Sequence, residues 1–299
     1  MTRGLRTLLL LVLLAVAIVA APPRQTEARA PAAVARHVIV VSFDGMRPDA
    51  LRRVWSPTLQ AQSAASWTAR TTRPSVTMPA HTSMVTGVGP EIHNVRFNDW
   101  GTDRPRLALP TIFTEVRRSS GSVRVIVTKP KLRFLAAPEL VTYLSYPRHR
   151  QAEVLAIAGQ TFRAEQPTLL FVHVADPDAV GHRSGWMSEP YLEVIAEVPV
   201  LVAGLLRDVV AAGVLSETLV IITADHGGHG RTHGTDLAED MTIPWVALGG
   251  AARPGLTLTQ PIVIYDTAAT VLSALGVAIP PAWQGRPVLA ALRALVPQR

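Results

Sequence analysis

Thr218-Leu219-Val220-Ile221-Ile222-Thr223-Ala224-Asp225-His226-Gly227-Gly228-His229-Gly230-Arg231-Thr232-His233 is where this chain is most legible. Its first half is apolar or β-branched without alternation, the pattern of a strand covered on both faces by helices. Its second half is acidic, glycine-rich and imidazole-rich. An adjacent Asp225-His226 pair has little packing purpose there, and the glycines let the backbone fold around a small ligand. Four other runs share the apolar pattern, at His37 to Phe43, Ser122 to Val127, Thr168 to Val174 and Pro244 to Leu248. Helical periodicity lies between them, at Pro48 to Ala65, Thr111 to Ser119, Gln151 to Glu165, Glu189 to Ala212 and Asp266 to Leu275. This order predicts a three-layer α/β/α sandwich with a mostly parallel central sheet. Pro199 falls within one helical stretch and predicts a kink or two helices there.

Ligands in such sheets gather at the carboxyl ends of the strands. The first run ends in Phe43-Asp44-Gly45, and the third in Ala175-Asp176-Pro177-Asp178-Ala179-Val180-Gly181-His182. With Asp225 and His226, three strands therefore deliver carboxylates and imidazoles to one edge. Mixed carboxylate and imidazole donors without sulfur suit Zn²⁺, Mn²⁺ or a similar divalent ion, and more than four donors suggest two ions. Taken singly, Asp44 also reads as a turn former or helix cap, and Asp178 with His182 as a surface pair one helical turn apart. A further cluster, Pro74-Ser75-Val76-Thr77-Met78-Pro79-Ala80-His81, opens a short helix that ends at Gly87. Thr77 is either the N-cap of that helix or a hydroxyl held where helix N–H groups bind anions, open to activation by a metal ion.

Composition narrows the chemistry. The 299 residues carry a formal charge of +7 and no cysteine, so disulfides, thiol nucleophiles and thiolate metal sites are excluded. Any metal must sit on His, Asp or Glu. Arg3, Arg6, Arg24 and Arg29 against Glu27 supply part of the positive charge, and the rest of the chain has no basic block, so no nucleic acid partner is expected. Arg3 and Arg6 precede an unbroken apolar run from Leu8 to Ala21, the pattern of a signal peptide. The run is shorter than the roughly 20 residues of a membrane span. Residues 1–30 are therefore expected to be a signal peptide and lead-in, with membrane anchoring only if this segment stays uncleaved, and 36–299 a single catalytic domain.

The joint order Asp44-Gly45, Thr77-Met78-Pro79-Ala80-His81, Asp178-x-x-x-His182, Asp225-His226-Gly227 and His233-Gly234 resembles the alkaline phosphatase superfamily, nearest its type I phosphodiesterase/nucleotide pyrophosphatase branch. The tail from Tyr265-Asp266 to Trp283-Gln284-Gly285-Arg286-Pro287 is similar to that family's closing helix and last loop. The resemblance implies two divalent ions, zinc foremost. One is held by Asp178, His182 and His233, the other by Asp44, Asp225, His226 and the Thr77 hydroxyl. It also implies that Thr77 attacks phosphorus and forms a phospho-threonine that water then hydrolyses. His229 and Asp176 stand beside these as candidates for orienting a ligand. One departure is Ala80, where the nucleotide pyrophosphatase pattern Thr-Phe-Pro-Asn-His has an asparagine that donates to a phosphoryl oxygen. Asn94, Asn98 and Arg73 are candidates to replace that donor, or the substrate differs. The implied protein is a secreted or periplasmic hydrolase of small-molecule phosphate esters. A phosphonoacetate-type phosphonate hydrolase is the alternative with the same ligand pattern, and a catalytically silent metal- or phosphate-binding protein is the alternative of another class.

Overall fold

The computed structural model describes residues 32–101 and 105–293, so the signal-like segment lies outside the described residues. Its strands are β1 (His37–Phe43), β2 (Ala64–Arg70), β3 (Val123–Val127), β4 (Val141–Tyr143), β5 (Leu169–Val174), β6 (Thr218–Thr223), β7 (Thr242–Leu248) and β8 (Leu256–Thr257). They form one sheet in the order β4-β3-β5-β1-β6-β7-β2-β8. The α-helices are α1 (Pro48–Val54), α2 (Pro57–Gln62), α3 (Thr77–Thr86), α4 (Pro90–His93), α5 (Ile112–Arg118), α6 (Gln151–Glu165), α7 (Asp176–Ser184), α8 (Glu189–Ala211), α9 (Ala238–Met241) and α10 (Asp266–Ala274).

Strand β7 alone opposes the others, pairing antiparallel with β6 and β2. The mostly parallel reading therefore holds. At the centre, β1 is buried along its whole length, and Val38, Ile39, Val40 and Val41 are shut off from solvent on both faces. Burying each such side chain is worth about 1.5–3 kcal/mol, which places this segment between helical layers rather than at an edge. One layer joins α1, α6 and α7 through α8, and the other packs α3, α5 and α10 together. Register does the rest. Phe43 lies beside Val174, and Ser42 beside Thr223, so β1, β5 and β6 end together at one edge of the sheet.

Three elements depart from the sequence reading. The stretch Pro48 to Ala65 is two helices and the start of β2, because Ser56 caps α2 by accepting from Leu59 N–H at 3.2 Å and Pro57 opens it. Serine before proline is a stop and a start in one. Helix α8 runs unbroken through Pro199. It buries Tyr191, Val194, Ile195, Val198, Val202, Leu205 and Val209, which outweighs the ~3 kcal/mol cost of an internal proline. The short strands β4 and β8 and the partly exposed β2 lack the continuous apolar signature that marks the central ones.

Helix α3 carries the Thr77 cluster and is buried from end to end. It stops at Gly87, whose φ of +67° puts it in the left-handed region, and a Cβ there would lie 2.4 Å from the Trp283 ring. Gln284 and Gly285 donate their N–H groups to the Gly87 carbonyl, each at 2.9 Å, and Asp266 accepts from Arg286 N–H at 2.8 Å. The tail thus ties α10 to α3.

Candidate active site

Each sequence-predicted residue leaves the same edge of the sheet. Asp44 follows β1, Asp225 and His226 follow β6, and α7 begins directly after β5. Asp44 is fully buried and is no helix cap, since α1 is preceded by Arg47 with no side-chain cap. Asp178 and His182 lie one turn apart on α7 at 3.4 Å, with Asp178 buried and His182 half-exposed, so they are not a surface pair. Thr77 is itself the first residue of α3; Val76 is the N-cap and makes no side-chain cap bond. The capping explanation for Thr77 is therefore replaced by a buried hydroxyl with Lys129 Nζ 3.4 Å away.

Two groups of donor atoms converge. Asp178, His182 and His233 offer atoms within 4.8 Å of one another, and so do Asp44, Asp178 and His226. Asp178 is thus shared, where the resemblance assigned it to one ion alone. Asp225 stands next to the second group, its Oδ2 3.3 Å from His226 Nε2. Its Oδ1 is fixed by the N–H groups of Gly45 and His226, both at 3.0 Å. The loop that brings His226 in passes so close to α9 that a Cβ on Gly227 would sit 1.9 Å from the Glu239 carbonyl oxygen. Only glycine fits there.

The imidazoles are oriented alike. His182, His226 and His233 donate Nδ1–H to the carbonyls of Arg231 (3.0 Å), Gly227 (2.8 Å) and Ser75 (3.0 Å). Each therefore turns an Nε2 lone pair toward the carboxylates, the arrangement that a metal-binding histidine requires. Asp44 Oδ1, Asp178 Oδ1, Asp225 Oδ2 and His226 Nε2 are buried without a hydrogen-bond partner. Unpaired buried donors and acceptors cost about 1–3 kcal/mol each, so this set fits a cation well.

The electrostatics agree. Burial alone would raise Asp44, but Lys129, His173 and His226 hold its carboxyl well below the usual range. Burial and Asp44 push Asp178 upward, yet Lys129 and His182 bring it down. Asp225 is likewise lowered by His226 and His81 against burial and the charge of Asp44. Three buried carboxylates thus face one ammonium. In the metal-free protein part of the deficit falls on His226, which Asp225 and Asp44 raise to about 9 against the opposing effect of burial. A divalent ion would take over that role.

Several residues here were not singled out by the sequence reading. Lys129 lies 2.7 Å from Asp44 Oδ2 and 2.6 Å from Asp178 Oδ2. It follows β3 by two residues, so the rule used for the other strand ends would have found it. His173 donates Nε2–H to Asp44 Oδ2 at 2.8 Å, while its Nδ1 accepts from Thr128 N–H at 3.3 Å. His81 donates Nδ1–H to the Thr77 carbonyl at 2.9 Å, with Asp225 Oδ2 at 3.3 Å. Of the candidates to replace the missing asparagine, Asn98 is the one beside Thr77: its Oδ1 accepts from Met78 N–H at 3.1 Å and from Lys131 at 2.9 Å. Arg73 pairs instead with Asp236 at an exposed position, and Asn94 closes α4 in the left-handed region. Asp176 pairs with Arg150 at 2.5 Å, tying the start of α7 to the start of α6, and His229 pairs with Asp240 at 2.7 Å, tying the loop after β6 to α9.

A model of the type I phosphodiesterase/nucleotide pyrophosphatase family matches residues 38–110 and 117–233. Human ectonucleotide pyrophosphatase/phosphodiesterase family member 7 is 28% identical over 217 residues, covering 64% of this chain and 47% of that protein. The chain spans about half the length of the curated family relatives it matches. Among solved structures, murine ectonucleotide pyrophosphatase/phosphodiesterase 5, an inactive threonine-to-alanine variant in complex with AMP, superposes with a TM-score of 0.69 at 17% identity, covering 82% of this chain and 96% of that one. Phosphonate monoester hydrolase from Silicibacter pomeroyi gives 0.65 at 18% identity, covering 88% and 78%. These two likenesses establish the fold.

Proposed function

The chain belongs to the type I phosphodiesterase/nucleotide pyrophosphatase family, and from that premise we propose that it hydrolyses small-molecule phosphate esters through Thr77 with two divalent ions bound. The observation that carries this reading is the place of the Thr77 hydroxyl. It is buried at the first turn of α3, and Lys129 links it to the two groups of metal-ligating side chains. Asp178, His182 and His233 would hold one ion, and Asp44, Asp225 and His226 with Thr77 the other, with Asp178 within reach of both. Ions in these places supply Lewis-acid charge that makes a hydroxyl nucleophilic near neutral pH.

The protein's own groups set the course of the reaction. Thr77 Oγ1 bonds to phosphorus as the bond to the ester oxygen breaks, and the alcohol departs. Water then attacks the phosphorus of the phospho-threonine, the bond to Oγ1 breaks, and the threonine is restored. The positive end of α3 faces the phosphoryl oxygens. Asn98, its Oδ1 engaged by Met78 N–H and Lys131, is oriented to offer its amide N–H to one of them, in place of the donor that Ala80 lacks. The inactive threonine-to-alanine form of the murine relative agrees with a threonine nucleophile in this fold. Every expected metal ligand and the threonine nucleophile are present, which argues against a silent binding protein.

Lys131, within electrostatic range of Lys129, adds positive charge next to Asn98 that suits a substrate with a second negative group, and phosphonoacetate-type hydrolysis is the alternative with the same ligand pattern. A panel of bis-p-nitrophenyl phosphate, p-nitrophenyl phosphate, a nucleotide pyrophosphate and phosphonoacetate, run on zinc-loaded protein, separates these readings. Turnover of none of them would sink the assignment. The Leu8 to Ala21 run after Arg3 and Arg6 supports an extracytoplasmic location, to be checked by N-terminal sequencing of native material. Among the described residues no helix is long and apolar enough to cross a membrane.

A further inference from the structure

Trp186 follows the Asp178–His182 turn, and its indole fills a slot that touches the segments after β1, β5 and β6, which supply the carboxylate and imidazole ligands proposed for the metals. Glycines from three of these segments form the slot. A Cβ on Gly181 would lie 2.5 Å from the indole, one on Gly228 2.2 Å, and one on Gly45 3.3 Å. Gly181 and Gly45 adjoin His182 and Asp44, and Gly228 lies two residues after His226. The indole is 6% exposed. Its Nε1–H donates to the Gly45 carbonyl at 2.8 Å, and its backbone N–H to the Gly230 carbonyl at 2.7 Å. The ring stands edge-on to His182 at 5.0 Å between centroids and to His233 at 5.8 Å. Tyr191 backs the same arrangement, donating its hydroxyl to the Gly45 carbonyl at 2.9 Å.

An ordinary core tryptophan needs apolar neighbours and at most one partner for its N–H. Trp186 joins the hydrophobic core, but its ring also packs against two imidazoles and three glycine backbones, and its polar edge locks the turn that carries Asp44. Both imidazoles have Nδ1 fixed across segments, His182 of α7 by the Arg231 carbonyl in the loop after β6, and His233 of that loop by the Ser75 carbonyl ahead of α3. The indole and its backbone N–H add to these ties, holding α7, the Gly45 turn and the loop after β6 in one register. A half-exposed side chain such as His182 would otherwise lose rotational freedom on binding an ion.

We propose that Trp186 is a positioning residue that sets the affinity of the Asp178–His182–His233 site for a divalent ion. This rests on the reading that these three side chains hold one. The test is calorimetric titration of Zn²⁺ into the metal-free full chain and into Trp186→Leu, Trp186→Phe and Gly228→Ala. Trp186→Leu should weaken one of the two zinc equivalents by about 10–100-fold and leave the other within about threefold. Trp186→Phe, which keeps an edge-on ring but not the Nε1–H bond, should recover most of that loss. Gly228→Ala, whose methyl displaces the indole, should reproduce the Leu phenotype. The Phe and Ala variants carry the test if the Leu variant does not fold. Two zinc equivalents bound with native affinity by folded Trp186 variants would overturn the proposal and leave the metal reading standing. A native chain that binds no zinc would overturn the metal reading itself.

Discussion

Replacing Thr77 by alanine separates a nucleophile from a packing residue, because the structural contribution of this side chain is small. Its hydroxyl does not cap α3, and the hydrogen bond from Lys129 Nζ is long at 3.4 Å. What alanine removes is one buried methyl and one weak hydrogen bond, about 1–2 kcal/mol together. For a chain of this size that amounts to roughly 2–6 °C in the unfolding midpoint. Loss of a nucleophile is of another order, about 10³-fold or more in kcat. Thr77→Ala should therefore unfold within a few degrees of the native protein, bind zinc, and turn over bis-p-nitrophenyl phosphate at a thousandth of the native rate or less. Thr77→Val restores the second methyl without the hydroxyl and should be equally inactive, whereas Thr77→Ser should retain part of the activity. Rapid quench with a labelled substrate should place the label on the peptide containing Thr77 in the native protein and not in Thr77→Ala. Native turnover by the Ala or Val variant would refute the mechanism. Inactivity accompanied by loss of zinc from the Asp178–His182–His233 group would show that Thr77 was needed to build the site rather than to attack.

Three further outcomes are expected. Chelation should abolish activity, and zinc at 100 times its dissociation constant should add about 2.7 kcal/mol of stability to the metal-free chain for each independent site, read as a higher unfolding midpoint. Asn98→Ala should lower kcat by about 10²-fold in steady-state assays, with zinc affinity unchanged, if its amide serves the phosphoryl group. His93 lies away from the site, held at about 4 by burial; its Nδ1 accepts from Val95 N–H at 3.0 Å, leaving no room for a second proton. Its folded pKa lies below its unfolded value, so the unfolded chain takes up the proton first. The stability contributed by neutral His93 is present above pH 6.5 and is lost as pH falls from there to about 4, by up to about 3 kcal/mol. His93→Gln should therefore gain on the native protein by that amount in denaturant titrations between pH 7 and 4.5, and parallel pH dependences would contradict it.

The central strands, the acidic and imidazole residues at their ends, and the glycine loop after β6 were legible from local pattern, since a strand buried on both faces has to be continuously apolar. The same rule exposes its own limits. β2 and β8 pair near the sheet edge, where the signal fades, and the Ser56-Pro57 break was hidden by helical periodicity on both sides of it. Local sequence could name Asp44, Thr77, Asp178, His182, Asp225, His226 and His233, but not their grouping. Whether Asp178 serves one group of ligands or both depends on the stagger of β1, β5 and β6, which is set by long-range pairing. Asn98, Asn94 and Arg73 were equivalent on paper because the loops that carry them have no period from which to read direction. Lys129 was within reach of the strand-end rule, whereas His173 and Trp186 became visible only in three dimensions: a histidine within an apolar strand and a tryptophan after a turn are ordinary residues until packing against Asp44, His182 and three glycines gives them a task. Sequence determines the chemistry available at each strand end. Distances between ends, and hence which atoms share a charge, follow from how the strands are stacked.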